Sequence, residues 1–440
     1  MPLPVHRIEM PPGRAPWTLL AGLPAGGAPH LLDALGPDGW EASVLALEPE
    51  QRFSGGQAAL HEAKRWLDAH RAEAPYGSVV LGSLDYELGL ELAGGRVPER
   101  RGAAAAPVQL AGFRAIYRYD ARRGAAEVLG SSRAACERLA SRLGACSART
   151  APAPAAFPLA GRAPEPERAY AGAVERVKGY IRAGDVYQVN LARRIEAEAP
   201  GAAELRRMYG ALAARAGAPF SAYLEAPART VLSASPECFL RVSQGRVATF
   251  PIKGTRPRGA SPEADALLRK ELEASAKDRA EHVMIVDLER NDLGRVCATG
   301  SVRVPWLCQP RAYSDVHHLV SCVEGRLRDP ADWPGLIAAT FPGGSITGAP
   351  KQRAMQIIAE LERAPRGVYT GAIGRIDSCG DLELSIAIRT AVAEGGTLAL
   401  QLGGGIVADS DAAAELRETR DKGRAFARSW GLEESARDPG

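Results

Sequence analysis

Lys253 stands in the run Phe250-Pro251-Ile252-Lys253-Gly254-Thr255-Arg256-Pro257-Arg258-Gly259, at the end of an apolar strand pattern and just before a Gly-Thr turn. That position sets one long amine beside backbone that can approach a ligand closely. Burial there depresses a lysine pKa and makes the amine nucleophilic. The competing reading is a surface lysine whose stem lies along a strand end. Two other segments carry paired carboxylates: Asp278 and Glu281 within Lys277 to His282, and Glu415 and Glu418 ahead of Lys422. A spacing of three places each pair on one helix face. Two such pairs facing each other make an oxygen-rich cage for a hard divalent ion, magnesium, sharing ligands with water and an anionic substrate. Solvated helix faces balanced by Lys and Arg are the alternative.

Glycine-rich segments form a further group. Phe341-Pro342-Gly343-Gly344-Ser345-Ile346-Thr347-Gly348-Ala349-Pro350-Lys351 leads into an amphipathic helix pattern from Gln352 to Leu361. Backbone amides in such a loop, backed by a helix N-terminus, favour an anion. The Gly-Lys-Ser/Thr ending of a nucleotide loop is missing, which argues against a nucleotide. Gly403-Gly404-Gly405 follows a strand pattern and either admits a ligand to the backbone or is a plain strand-end turn. Glu237, in Ser235-Pro236-Glu237, is a candidate acid or base near Lys253, and His318 is a further candidate or a satisfied core histidine.

The elements that must hold these groups follow from periodicity. Val186 to Leu191 alternates as a strand with the amides Gln188 and Asn190 on one face. Val231 to Val242 and Arg246 to Ile252 flank a Ser-Gln-Gly turn and predict a hairpin, with Glu237 in mid-strand. Ala111 to Tyr119 reads as one strand, and Leu384, Ile386 and Ile388 share a strand face opposite Arg389. Ser261-Pro262 starts a helix. Hairpins mixed with helices predict an α+β fold on antiparallel sheets. The Ala/Pro/Arg-rich stretch at 145–166 reads as a linker. It divides an N-terminal subdomain (1–150) from a catalytic domain (167–430), with 151–166 between them and a frayed tail after Gly431.

The chain has 440 residues, a formal charge of +3 and seven scattered cysteines without a Cys-x-x-Cys pair. The charge gives no case for nucleic acid or an anionic membrane. The cysteines predict reduced thiols rather than disulfides or zinc. With no apolar run of membrane length and no leader-like start, a cytoplasmic enzyme is expected.

Taken together, the segments 184–194, 235–240, 251–259, 277–296, 315–325, 341–355, 367–374, 384–391 and 402–422 resemble the chorismate-utilising enzymes, most closely their aminodeoxychorismate synthase component I branch. The resemblance implies two large antiparallel sheets packed face to face with helices outside, and N- and C-terminal portions that interleave. Within the family, relatives that add water carry lysine at the position of Gln188, and anthranilate synthases carry alanine at that of Lys253. It further implies magnesium on Glu281 and Glu418, assisted by Asp278 and Glu415, binding the ring carboxylate of chorismate. Glu237 would protonate the departing carbon-4 hydroxyl, Lys253 would attack carbon 2, and ammonia would enter at carbon 4. Gly254, Thr255, His318, Ser345, Thr347, Tyr369, Arg389, Gly403, Gly404, Gly405 and Lys422 are the implied substrate-binding residues.

The chain has no glutaminase nucleophile word and no fused pyridoxal-phosphate lyase. A separate glutamine amidotransferase subunit is therefore the expected ammonia source, and 4-amino-4-deoxychorismate, on the route to 4-aminobenzoate and folate, the expected product. The alternatives are an anthranilate synthase component I and a non-catalytic chorismate-binding regulatory subunit. The presence of Glu237, Lys253, Glu281 and Glu418 together disfavours the latter.

Overall fold

The computed structural model describes residues 2–11, 15–24, 26–36, 38–94, 106–146, 160–161, 166–313, 316–430 and 433–434. Most of the expected linker and the tail after Gly431 lie outside them. Among the described residues, an eleven-stranded and a ten-stranded sheet dominate, and all pairings within both are antiparallel.

Strand alternation explains the layering. Leu31, Leu45 and Tyr223 point to one side of the eleven-stranded sheet, where Leu205, Tyr209, Phe426 and Trp430 cover them from the helices Ala202–Ala216 and Ala412–Trp430. Their neighbours Leu32, Val44, Phe220 and Ala222 point the other way and meet Val79, Leu81, Phe113 and Ile373 of the ten-stranded sheet. On the far side of that second sheet, Val80 and Leu84 pack with Leu60, Trp66, Leu336 and Ile358 from helices. The order is helices, sheet, sheet, helices, so the expected face-to-face packing is present. Each fully buried leucine in these layers contributes about 1.5–3 kcal/mol.

Both sheets draw strands from each end of the chain. His30–Asp33 pairs with Phe220–Glu225, and Val79–Leu84 pairs with Ala372–Asp377. The sheets also exchange strands, and here three sequence expectations need correction. The run Ala111 to Tyr119 is two strands, Val108–Phe113 in the ten-stranded sheet and Ile116–Asp120 in the other. Likewise Val231 to Val242 breaks into Arg229–Ser235 and Cys238–Ser243, which lie in different sheets. The third strand ends at Ile386, and Thr390–Glu394 begins in the opposite sheet. Pro236 has no N–H to give a central ladder, and Arg389 has φ of 50°, a left-handed value that ends an extended run.

The two later corners are stitched to one another. The Ser235 hydroxyl donates to the Ile386 carbonyl at 2.6 Å, Ile386 N–H donates to the Glu237 carbonyl at 3.0 Å, and Ala234 N–H donates to the Arg389 carbonyl at 2.9 Å. A buried ion pair ties the sheets together elsewhere: Arg229 reaches Asp85 Oδ1 at 2.8 Å and Oδ2 at 3.0 Å, and Ser83 Oγ at 2.9 Å. Asp85→Ala leaves that guanidinium uncompensated, so urea denaturation should show a loss of about 3–5 kcal/mol. A loss below 1 kcal/mol would show that the pair is not an inter-sheet clamp.

Candidate active site

Glu237 owes its place to the corner between the sheets. It is 5% exposed. Burial pushes its carboxyl up, against hydrogen bonds from the Ser345 hydroxyl and the Ile252 N–H and the nearby charges of Lys253 and Arg389. Its proton is thereby held more tightly than that of an exposed glutamate, the direction that a general acid requires.

Lys253 lies on Ile252–Pro257, which pairs with Val316–Arg326 and slips register between Lys253 and Thr255. Gly254 is the extra residue, with φ of 67°. A Cβ there would come within 2.8 Å of Leu272 and 3.2 Å of Asp278, so only glycine fits this bulge. The Lys253 amine donates to the Ser345 carbonyl at 3.0 Å. Burial lowers its pKa, and Lys422 lowers it further, while Glu237, Glu281 and Glu418 pull it back up. Ser345 therefore lies by both reactive groups: its carbonyl accepts from Lys253, and its side chain is the first influence that counters burial at Glu237.

The other expected residues gather around this pair. His318 Nδ1 lies 3.1 Å from the Gly254 carbonyl and 3.0 Å from the Thr255 hydroxyl. Since a carbonyl only accepts, Nδ1 carries the proton, and the buried Nε2, without a hydrogen-bond partner among the described residues, keeps a lone pair. Burial lowers this histidine to about 4. Arg389 faces Glu237 and His318 from the second corner. The Tyr369 hydroxyl sits 2.9 Å from where a Cβ on Gly403 would be. Lys422 donates to the Gly403 carbonyl at 2.8 Å and pairs with Glu418 at 2.7 Å. Thr347 is different: its buried hydroxyl donates to the Gly343 carbonyl at 3.0 Å and holds the loop together.

Gly403, Gly404 and Gly405 lie within the strand Thr397–Ile406 rather than at its end. A Cβ on Gly403 would press to 2.6 Å from the Leu191 carbonyl, and one on Gly405 to 2.7 Å from the Gln188 amide nitrogen. Gln188 is fully buried, and among the described residues neither of its side-chain amide atoms has a hydrogen-bond partner.

Of the four expected metal carboxylates, Glu281 and Glu418 both act on Lys253, and Glu415 adjoins Glu418. Glu281 projects from the helix Ala276–Gly294, whose Ser275 hydroxyl caps it by accepting from Asp278 N–H at 3.2 Å. Its neighbour His282 turns into the protein, 2.6 Å from Ser321 Oγ, and anchors the helix. Glu415 and Glu418 come from Ala412–Trp430 and sit 3.3 and 3.6 Å from a Cβ position on Gly404. Burial raises the carboxyls of Glu281 and Glu415, and Glu418 pushes Glu415 further up. Asp278 instead pairs with Arg256 at 3.1 Å.

Among the described residues no three His, Cys, Asp or Glu side chains close on one point. Glu281, Glu415 and Glu418 are hard oxygen donors, the chemistry that magnesium takes from carboxylates, water and substrate oxygens.

Sequence reasoning missed Glu289 and Asp292. They lie behind Gly344 on the same helix as Glu281, and a Cβ on Gly344 would be 3.6 Å from Glu289 Cγ. Lys351 meets Asp292 at 2.5 Å, so the lysine that follows the glycine loop is committed to an ion pair. Thr249 donates to Glu289 at 3.0 Å. Burial, then the charge of Glu237, push Glu289 up to about 8. Glu289 and Asp292 are spaced by three, so the rule applied to the metal carboxylates would have found them. An acid whose folded pKa is raised contributes stability below its unfolded value near 4.5 and loses it as pH climbs through about 8. The melting temperature of Glu289→Gln relative to the parent should therefore rise steadily from pH 5 to pH 8. A flat difference would place the titration elsewhere.

Known proteins share this architecture and these motifs. A family model described as chorismate binding enzyme matches residues 34–428. Aminodeoxychorismate synthase component 1 of Klebsiella aerogenes is 49% identical over 283 residues, 64% of this chain and 62% of that protein. An anthranilate synthase component 1 of Haloarcula marismortui is 50% identical over 257 residues, 58% of this chain and 52% of that protein. The chain thus spans between half and two thirds of these relatives' length. The crystal structure of anthranilate synthase component I from Streptococcus pneumoniae superposes with a TM-score of 0.78 at 29% identity, covering 89% of this chain and 93% of that one. No helix among the described residues is long and apolar enough to cross a membrane. With the family model matched across both sheets and the carboxylates, corners and glycine strand in place, the chain belongs to the chorismate binding enzyme family.

Proposed function

We propose that the chain aminates chorismate at carbon 4 and forms 4-amino-4-deoxychorismate, using ammonia from a separate glutamine amidotransferase subunit. The observation that carries this reading is the placement of Lys253, a buried amine held on the Ser345 carbonyl at 3.0 Å, within the charge influence of the buried Glu237. Lys253, as the free amine, attacks carbon 2 of the ring. The double bonds shift, and the carbon-4 hydroxyl leaves as water with the proton of Glu237. Ammonia then forms the bond to carbon 4, the electrons return, and the carbon–nitrogen bond to Lys253 breaks. The proton lost by the incoming ammonium restores Glu237, so the balance is chorismate plus ammonia to aminated product plus water.

Magnesium on Glu281, Glu415 and Glu418 would supply charge neutralisation at the ring carboxylate. Arg389, Lys422 and the amides of Gly403 to Gly405 would orient the substrate carboxylates, and Gln188, an uncharged amide, offers no base to activate water. A second reading, anthranilate formation, is favoured by the anthranilate synthase relative at 50% identity. Incubation with chorismate, magnesium and ammonium, followed by mass spectrometry, separates the two. An aminated chorismate that a lyase converts to 4-aminobenzoate is expected. Anthranilate with pyruvate would replace this reading by the second, and no turnover with chorismate still bound would leave a regulatory subunit.

A further inference from the structure

Three successive carbonyls of the glycine loop are each held by a different part of the chain. That of Ser345 accepts from the Lys253 amine at 3.0 Å. That of Ile346 accepts from Arg366 Nη1 at 3.1 Å, and that of Thr347 from the Asn190 N–H at 2.8 Å. The first bond must loosen when the amine reaches for a substrate carbon, so the other two have to keep the loop in place.

Arg366 follows the helix Lys351–Leu361, ahead of the strand Ala372–Asp377, and is 3% exposed. Its backbone is fixed from two sides. The N–H groups of Arg366 and Gly367 donate to the two oxygens of Glu87 at 2.7 and 3.0 Å, and Gln401 donates to the Arg366 carbonyl at 2.9 Å. All five N–H groups of the guanidinium are used. Nε and Nη2 fork onto Glu362 at 2.8 and 2.7 Å, and Nη2 also donates to the Asn190 carbonyl at 2.7 Å. Nη1 donates to the Thr370 hydroxyl at 3.2 Å besides the Ile346 carbonyl. The ring of Tyr86 seats the group at 4.6 Å, and that of Tyr369 lies 5.9 Å away. One planar cation thus joins the glycine loop, the strand Gln188–Glu198 and the turn that carries Tyr369. A lysine, a point charge with three donors, does not reproduce that fork.

We propose that Arg366 is a positioning residue: it holds the glycine loop so that the Ser345 carbonyl stays aimed at the Lys253 amine. The effect on rate rests on the amination reading above; the placement of the amine does not. A buried arginine also stabilises the fold, and the molecule supplies a matched control. Arg206, in the helix Ala202–Ala216, is 4% exposed and makes the same kinds of bond. It forks onto both oxygens of Glu225 at 2.9 Å and donates to the carbonyls of Leu23 and Pro24 at 2.9 and 3.1 Å, none of which belongs to the site.

The test reads the amine as well as the rate. Lys253 is labelled with acetic anhydride in the full chain and followed by peptide mass spectrometry, in the parent, Arg366→Lys and Arg206→Lys. Freed from its acceptor, the amine loses a bond that favours its charged form. Labelling in Arg366→Lys should therefore be faster by about two- to tenfold, the range one hydrogen bond spans. With chorismate, magnesium and ammonium, Arg366→Lys should lower kcat by about 10- to 100-fold and leave KM within about threefold, as a misplaced reacting group does. Arg206→Lys should melt below the parent with labelling and kcat unchanged. Tyr86→Leu removes the ring that seats the guanidinium, and its hydroxyl has no hydrogen-bond partner among the described residues. It should speed labelling by a smaller factor, and it decides the matter if Arg366→Lys does not fold. Parent-like labelling or kcat in folded Arg366→Lys, parent-like labelling in Tyr86→Leu, or equal changes in Arg206→Lys would overturn the proposal. If the parent leaves chorismate untouched, the amination reading falls, while labelling still decides whether Arg366 places the amine.

Discussion

Lys253→Ala is expected to lower 4-amination of chorismate by about 10³-fold or more, since losing a covalent nucleophile has cost up to about 10⁶ elsewhere. The fold should survive: among the described residues the amine hydrogen-bonds the Ser345 carbonyl, and burial already works against its charge. Chorismate affinity should change little, because the groups proposed to orient its carboxylates, Arg389 and Lys422, remain. Residual activity should move toward anthranilate, the second reading given above. Unchanged rate and product would remove Lys253 from the mechanism.

Glu237→Gln carries the second large effect, a loss of about 10²–10⁴-fold from the missing proton donor. The pH profile separates this from loss of structure. In the parent, the rate should rise with pH as Lys253 deprotonates and fall as Glu237 deprotonates. Along the rising limb Glu237 is still protonated and neutral, as the amide of Glu237→Gln is at every pH. That limb should therefore stay in place in the variant, while the falling limb, which needs a titrating proton donor, disappears. A falling limb that persists would mean that Glu237 is not the donor.

How much of this was legible in the chain depends on the residue. Ser261 caps a helix beginning at Pro262, as its type demands, and both carboxylate helices form where the spacing of three placed them. Register and face follow from local rules of that kind. The corners do not. Across Val231 to Val242 the apolar alternation is compatible with one strand, and only Pro236 hints that the chain leaves one sheet for the other. Which sheet receives Cys238 is decided by pairing with Leu382–Ile386, over a hundred residues later. Arg389 was read as a strand residue for the same reason, since its left-handed backbone is imposed by the corner it shares with Ala234. Asp278 pairs with Arg256 because the bulge at Gly254 brings that arginine alongside, a bulge that period-two patterning does not reveal.

The shared strand order has a consequence for dissecting the molecule. Cutting the chain between residues 146 and 166 would sever no strand of either large sheet, yet it would bare four long edges: His30–Asp33 and Val79–Leu84 on one fragment, Phe220–Glu225 and Ala372–Asp377 on the other. All four are buried along almost their whole length in the intact chain. Each piece made alone would offer sticky, unpaired backbone to its own copies. Made together, the same edges would serve as templates for each other. Recovery of turnover on co-expression would then report the zipping of two ladders, and no smaller unit than the whole double sheet could be carried to another scaffold with its chemistry intact.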